Sequence, residues 1–234
     1  MRDPEREREL VVRTYRRRAP RYDSSAKLYY ALGYPQWAHR RRAVQALELG
    51  SGDTVVEVGC GTGLNFGLLQ EAIGPDGHIV GVDLTDAMLV KAEQRVDEHD
   101  WRNVSLVQTD ARDFEFPDSV DAVLSTYALT HVPECAEVIS RGSEALAEGG
   151  RWVVLDTKLP DNAPGWTVPL ALACLRPFAV TEAWAARRPW EAIRAAMSDT
   201  LSDVSWNDLF LSFVFLASGR ATRQDRPATP TGTA

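Results

Sequence analysis

The stretch of this sequence best suited to chemistry is Val55-Val56-Glu57-Val58-Gly59-Cys60-Gly61-Thr62-Gly63-Leu64-Asn65. An apolar run ending in three closely spaced glycines lets a ligand approach main-chain N–H groups that a Cβ would obstruct, so a nucleotide-like ligand is expected there. The glycines depart from the dinucleotide pattern G-x-G-x-x-G/A. Counted from Gly59 and Gly61, the third glycine position holds Leu64, and Gly63 falls one residue early. That departure weakens pyrophosphate binding. Glu57, two residues before the first glycine, would repel a diphosphate but suits a ligand bearing an ammonium group.

A second acid, Asp83, follows 22 residues after Gly61, where a carboxylate can accept both ribose hydroxyl protons. Dinucleotide enzymes use an acid there too, so Asp83 alone does not discriminate. Asp110-Ala111 is placed to bond an adenine amino group, with Leu84 and Met88 as apolar faces. S-adenosyl-L-methionine, which carries an ammonium and no phosphate, fits this set. The segment Ser125-Thr126-Tyr127-Ala128-Leu129-Thr130-His131 should border the transferable group, with His131 as candidate base and Tyr127 as candidate substrate contact. A packing or capping role is the competing reading for both side chains.

These residues require strands that end side by side. Thr54–Val58 reads as a strand buried on both faces, and residues 59–63 as the opening of a helix that runs to about Ile73. His78–Val82, Val104–Gln108 and Val120–Thr126 read as further strands. Helices are expected over Asp86–His99 and Pro133–Leu146, with Gly149-Gly150 stopping the second and launching a strand over Arg151–Asp156. Asp156 and Lys158 fall at the ligand-facing edge of such a sheet, where they could orient a substrate or form a surface salt bridge. Residues 164–196 read as helical, broken at Pro169, Pro177 and Pro189. Two late runs, Val204–Asp208 and Leu211–Ala217, are close enough for a hairpin, and the tail from Arg220 is expected to be disordered.

Glu57-Val58-Gly59-Cys60-Gly61-Thr62-Gly63, with Asp83, Asp110 and Asp121-Ala122-Val123 in register, resembles the class I S-adenosyl-L-methionine-dependent methyltransferases across residues 50–157. The resemblance implies an α/β fold: a doubly wound, Rossmann-like, seven-stranded sheet, mostly parallel, with a terminal antiparallel hairpin. It places Glu57 near the methionine ammonium and Gly59, Gly61, Thr62, Gly63 and Asn65 about the cofactor. Asp83 would take the ribose, and Asp110 and Ala111 the adenine, with Leu84, Met88 and Thr126 beside them. Tyr22 would close over the methionine end. Ala19-Pro20-Arg21-Tyr22-Asp23 and the Gly-Gly before the fifth strand also resemble the ubiquinone/menaquinone-biosynthesis and phospholipid N-methyltransferases. A nucleoside-binding protein of this fold without catalysis, or an NAD-dependent dehydrogenase, are the alternative readings.

The 234 residues carry 26 Lys plus Arg against 33 Asp plus Glu, a formal charge of -7 that argues against a nucleic-acid-wrapping surface. No Asn/Asp-Pro-Pro-aromatic signature stands at residues 126–129, so nucleic acid is not the expected acceptor. The first 50 residues are basic, with 12 Lys plus Arg against 6 Asp plus Glu. They read as a helical lid over 1–48 that could meet an anionic substrate or a membrane surface, ahead of a methyltransferase domain over 49–219. The helical insert at about 160–200, with Trp166, Trp184 and Trp190, is where acceptor identity should reside, either as a cap packed on the sheet or as part of an apolar pocket. The expected acceptor is a small amphiphile of the quinone-precursor or lipid head-group type. The N-terminus lacks the apolar core of a secretory signal, no run reaches bilayer-spanning length, and Cys60, Cys135 and Cys174 fit neither a disulfide framework nor a zinc site. A cytoplasmic protein without a bound metal, able to lie against a membrane, is therefore expected.

Overall fold

The computed structural model describes residues 4–24, 33–161 and 166–222. Seven strands form one sheet in the order β3-β2-β1-β4-β5-β7-β6. They are β1 (Thr54–Val58), β2 (His78–Asp83), β3 (Val104–Gln108), β4 (Val120–Thr126), β5 (Leu146–Thr157), β6 (Ser202–Leu209) and β7 (Val214–Arg220). β1 to β5 pair in parallel, and β7 runs antiparallel to both β5 and β6. Described helices are α1 (Pro4–Arg18), α2 (Gln36–Gln45), α3 (Phe66–Ile73), α4 (Asp86–Glu98), α5 (Cys135–Ala145), α6 (Thr167–Leu175), α7 (Glu182–Arg187) and α8 (Pro189–Thr200).

Burial of both sheet faces explains the strand sequences: Val55, Val56, Val58, Val123, Leu124 and Val153 through Leu155 are essentially inaccessible. α5 and α8 cover one face around Trp152 and Ile193, while α2, α3 and α4 cover the other around Phe66, Leu69 and Leu124. Each fully buried side chain of this size stabilises the fold by about 1.5–3 kcal/mol. Cys60 and Cys135 are buried free thiols. Among the described residues, no helix is long and apolar enough to cross a membrane.

Four expectations need correction. The helix after the glycines begins at Phe66, not Gly59, because Gly59, Gly61 and Gly63 hold φ of +74°, +57° and +73°, values a right-handed helix excludes. Gly149-Gly150 lies inside β5, at an irregularity where the β4–β5 register shifts between Val120 and Ala122. The prolines of the insert do not all break helices: Pro169 sits in the first turn of α6 and Pro189 is the first residue of α8, positions that need no intrahelical N–H. Arg220 ends β7 by pairing with Arg151 and Ser202, so the disordered tail does not begin there; residues 223–234 of the expected tail lie outside the described residues. Residues 162–165 of the insert also lie outside them.

Candidate functional site

Strand order reverses between β1 and β4, so the connections that follow these neighbours diverge to opposite faces and leave a crevice at their carboxyl ends. A cleft with about 900 Å³ of space, counted out to open solvent, occupies that crevice. Its walls include Gly59, Gly61, Thr62, Asp83, Leu84, Met88, Asp110, Ala111, Thr126, Tyr127, His131 and Tyr22. Twelve expected site residues thus meet in one place. Glu57, Gly63 and Asn65 do not face it: Gly63 packs against the Phe66 ring, and Glu57 and Asn65 form a buried polar layer behind the wall.

The glycine turn is built for close approach. A Cβ on Gly59 would fall 2.2 Å from the Ala128 Cβ, so β4's exit presses against the turn, whereas a Cβ on Gly61 would meet nothing within 4 Å. That open space lies on the cleft side. Asp83 is held rigidly, its carboxylate accepting from the Gly61 and Thr85 main-chain N–H groups at 2.9 and 2.8 Å. Burial nevertheless pushes its pKa up.

Behind the wall, Asn65 donates to Glu57 Oε1 at 2.5 Å and to Thr126 Oγ1 at 2.9 Å. Arg40 donates from one terminal nitrogen to Asn65 Oδ1 at 3.0 Å and Thr126 Oγ1 at 2.6 Å. Burial pushes the Glu57 carboxyl up to about 7, against the opposing effects of Asn65 and Arg40. Glu57 Oε2 and Arg40 Nε are buried with no protein partner. An unsatisfied buried acceptor and donor in one layer cost stability unless a ligand completes them. Of these groups Arg40 also lines the cleft, where its cation fits the carboxylate of the methionine end of S-adenosyl-L-methionine, while Glu57 backs that position as a buried acid held by Asn65.

The strand-four exit is strained and specific. Tyr127 adopts φ of 57°, its hydroxyl accepts from Tyr34 at 2.8 Å, and the Arg40 guanidinium lies 5.2 Å from its ring centre. His131 follows on a short 3₁₀ turn, Leu129–His131, and burial with the nearby Arg187 pushes its pKa down to about 4. Asp156 pins this turn by accepting from the Thr130 N–H and hydroxyl at 3.0 and 2.9 Å, so it positions His131 rather than meeting solvent. Lys158 is buried too, and pairs with Asp161 and Asp208 at 2.9 and 2.8 Å, fastening the loop after β5 to β6. Trp184 and Trp190 pack in the core with ring centres 5.2 Å apart, while Trp166 is 77% exposed.

The roof comes from the segment read as a lid, through residues to which the sequence reading gave no individual role. Arg8, Val11 and Tyr15 of α1 face the cleft, and Arg8 binds Asp110 at 2.6 Å and also Glu134. Asp23 accepts from the Thr62 hydroxyl at 2.6 Å and from Arg95, tying the amino-terminal segment to the glycine turn. A signal existed for both arginines. Arg8 shares a helix face with Val11, Val12 and Tyr15, and Arg40 with Ala43, Val44 and Leu47, at spacings of three, four and seven. A cation on an apolar face marks a buried charge that needs partners.

A family model described as a methyltransferase domain matches residues 55–150. The chain is 31% identical over 163 residues to a demethylmenaquinone methyltransferase of Listeria welshimeri, a match covering 69% of this chain and 68% of that one. A SAM-dependent methyltransferase of Aquifex aeolicus shares the fold at a TM-score of 0.58 and 16% identity, covering 95% of this chain and 100% of that one. A geranyl diphosphate C-methyltransferase of Streptomyces coelicolor, in complex with Mg2+, geranyl diphosphate and S-adenosyl-L-homocysteine, shares it at a TM-score of 0.64 and 18% identity over 79% of each chain.

Proposed function

We propose that this chain, which belongs to the class I S-adenosyl-L-methionine-dependent methyltransferases, methylates a small amphiphilic acceptor of the quinone-precursor type and works at a membrane surface in the cytoplasm. The observation that carries the acceptor class is the relative that acts on demethylmenaquinone; the mixed apolar and aromatic rim of the cleft agrees with it. S-adenosyl-L-methionine supplies a methyl group already activated by the positive charge on sulfur. The protein's task is to hold the nucleophile in line and exclude water. Asp83 holds the ribose, Asp110 and Ala111 the adenine, and Leu84 and Met88 its faces. Arg40 takes the carboxylate of the amino acid end, Glu57 attracts its ammonium from behind the wall, and Tyr22 with α1 closes the roof.

His131 and Tyr127 border the acceptor. An imidazole with a pKa near 4 is neutral across the physiological range, hence ready to accept a hydrogen bond but a weak base. His131 therefore orients an acceptor hydroxyl more than it removes the proton. Replacement by alanine should lower kcat only about tenfold, the worth of one hydrogen bond. The kcat profile between about pH 5 and 8 should show no inflection belonging to His131, whereas an inflection near the usual value for histidine (~6.5) that disappears in His131→Ala would assign it the base.

The direct test incubates the protein with methyl-labelled cofactor and a short-chain demethylated quinol or a phospholipid, and looks by mass spectrometry for a product heavier by one CH2 plus the isotopic increment of the label. Label in the quinol supports the reading; label in the phospholipid moves the acceptor to the lipid head-group class, and label in neither removes it. Glu57 adds a pH signature. A ligand ammonium favours the carboxylate, so S-adenosylhomocysteine should bind more tightly as pH rises, gaining up to about tenfold per unit below the folded value near 7 and levelling above it. Calorimetric titration of Glu57→Gln should give a flat profile; an unchanged slope would show that Glu57 does not meet the ammonium.

A further inference from the structure

The large apolar side chains that the described residues leave exposed are Trp37, Val90, Trp166, Leu170, Phe210 and Leu211. Phe210 is linked to the cleft wall through Tyr34 and Tyr127, Trp37 stands one helical turn before the cleft-lining Arg40, and Trp166 and Leu170 belong to α6, the helix whose carboxyl end leads to the junction with α1. Val214 of β7 pairs with Thr157 at the carboxyl end of β5, which puts the turn containing Phe210 and Leu211 on the same sheet edge as the exits of β1 and β4. The Phe210 ring lies 4.8 Å from that of Tyr34, whose hydroxyl bonds Tyr127 in the cleft wall. Trp37 follows closely on α2, beside Arg40. Trp166 and Leu170, 77% and 63% exposed, fall on one face of α6 with Pro169 and Ala173, which are exposed as well. The sequence of α6, Thr167–Leu175, contains no charged residue.

The charge on the α1 side of these residues is mostly positive. α1 lies over the cleft with Arg8, Val11 and Tyr15 inward, and its outer face presents Arg6, Glu9, Arg13 and Arg17 to solvent. The basic end of α1 reaches the end of α6: Arg18 donates to the Pro177 carbonyl at 3.0 Å, and its guanidinium lies 4.4 Å from the Phe178 ring centre. Arg176 and Arg21 are exposed next to this junction. A surface that exposes aromatic and aliphatic side chains beside arginines has the composition of a bilayer interface: indole and leucine enter the boundary of the acyl chains, and guanidinium groups meet phosphate.

We infer that the face of α6 with Trp166 and Leu170, the β6–β7 turn with Phe210 and Leu211, and the outer face of α1 dock together onto an anionic lipid bilayer with the cleft mouth toward the membrane. This rests on the reading of the acceptor as an amphiphile, which would then pass from the bilayer into the cleft without crossing water. The arginines set the preference for anionic lipid, and the apolar side chains supply the part of the affinity that salt does not screen.

The test is co-sedimentation of the full chain with sucrose-loaded vesicles of phosphatidylcholine alone or mixed with phosphatidylglycerol, alongside titration with S-adenosylhomocysteine. The wild-type protein should pellet with the mixed vesicles and bind the neutral ones at least about tenfold more weakly. Trp166→Ser/Leu170→Ser should lower partitioning about tenfold or more on the mixed vesicles, and Arg13→Glu/Arg17→Glu should remove the anionic preference. Both variants should keep wild-type affinity for S-adenosylhomocysteine, which shows that they fold. A wild-type protein that binds S-adenosylhomocysteine but stays in the supernatant with both vesicles overturns the inference, as does equal pelleting of wild type and variants. Retention on an acidic peptide or RNA column without vesicle binding would assign the basic stripe to that partner and overturn it too. Pelleting without turnover of any quinol would instead defeat the acceptor reading and leave the docking surface standing.

Discussion

Gly61→Arg is expected to abolish S-adenosylhomocysteine binding, by at least about 1,000-fold or roughly 4 kcal/mol, while the protein stays folded. Gly61 holds φ of +57°, and a Cβ there would meet no atom within 4 Å. The substitution therefore costs only the left-handed backbone of a non-glycine residue, about 1–2 kcal/mol. For a chain of this length that lowers Tm by roughly 2–8 °C. The arginine side chain must then extend into the cleft, next to Asp83, where the ribose is to lie. Gly59→Ala is the instructive contrast: its methyl would sit 2.2 Å from Ala128 Cβ, so that change damages the β1–β4 crevice itself. Titration calorimetry with far-ultraviolet circular dichroism separates the two lesions. Wild-type affinity in a folded Gly61→Arg protein would mean that the cofactor lies elsewhere.

The second large effect belongs to Arg40. Arg40→Ala strips a donor from both Asn65 Oδ1 and Thr126 Oγ1 and removes the cation that lowers the Glu57 pKa. Two buried acceptors left short and a less compensated carboxylate should cost about 3 kcal/mol near pH 8, a Tm fall of roughly 6–12 °C. The sign of the pH dependence follows from the raised Glu57 value. Its folded pKa near 7 exceeds the ordinary 4.5, so between these values the native state holds the proton more tightly than the unfolded chain. Stability from this group is therefore greatest at low pH and is lost as pH rises through 7, with Asp83 and Asp156, also raised by burial, acting in the same sense. Removing Arg40 pushes Glu57 higher still, so the deficit should be smaller near pH 5.5 than near pH 8. Thermal melts at both pH values decide it: an equal deficit at both would show that Arg40 and Glu57 are not electrostatically joined. The variant should also bind S-adenosylhomocysteine about 100-fold more weakly, the order expected for losing a charged hydrogen bond to a carboxylate.

Much of the cofactor half of the site was legible along the chain. β1 and β4 coincide with their sequence-predicted spans, because a parallel strand buried on both faces must be a largely apolar run, and such runs are local features. Asp83 and Asp110 were readable for the same reason: each stands at or just past the end of a run, and the topology of a doubly wound sheet brings all such ends to one edge. The late hairpin and the covering of Trp184 and Trp190 were also within reach of composition and spacing.

What the chain determined by itself is thus the sheet, the glycine turn and the acids at the strand tips, each encoded within a few residues of its neighbours. Only the tertiary structure decided what the arginines do. Arg40 meets Thr126 across 86 residues and Arg8 meets Asp110 across 102, so the segment that reads as a lid builds the wall and roof of the cleft through arginines to which the sequence assigned no partner. It likewise moved Glu57 behind the wall, placed Asp156 under the His131 turn, and set the exposed Phe210 of the β6–β7 turn against Tyr34, the partner of Tyr127 in the cleft wall. Periodicity tells which face of an element is buried; the partner waiting there is chosen by packing between segments far apart in the chain, and no local pattern carries that information.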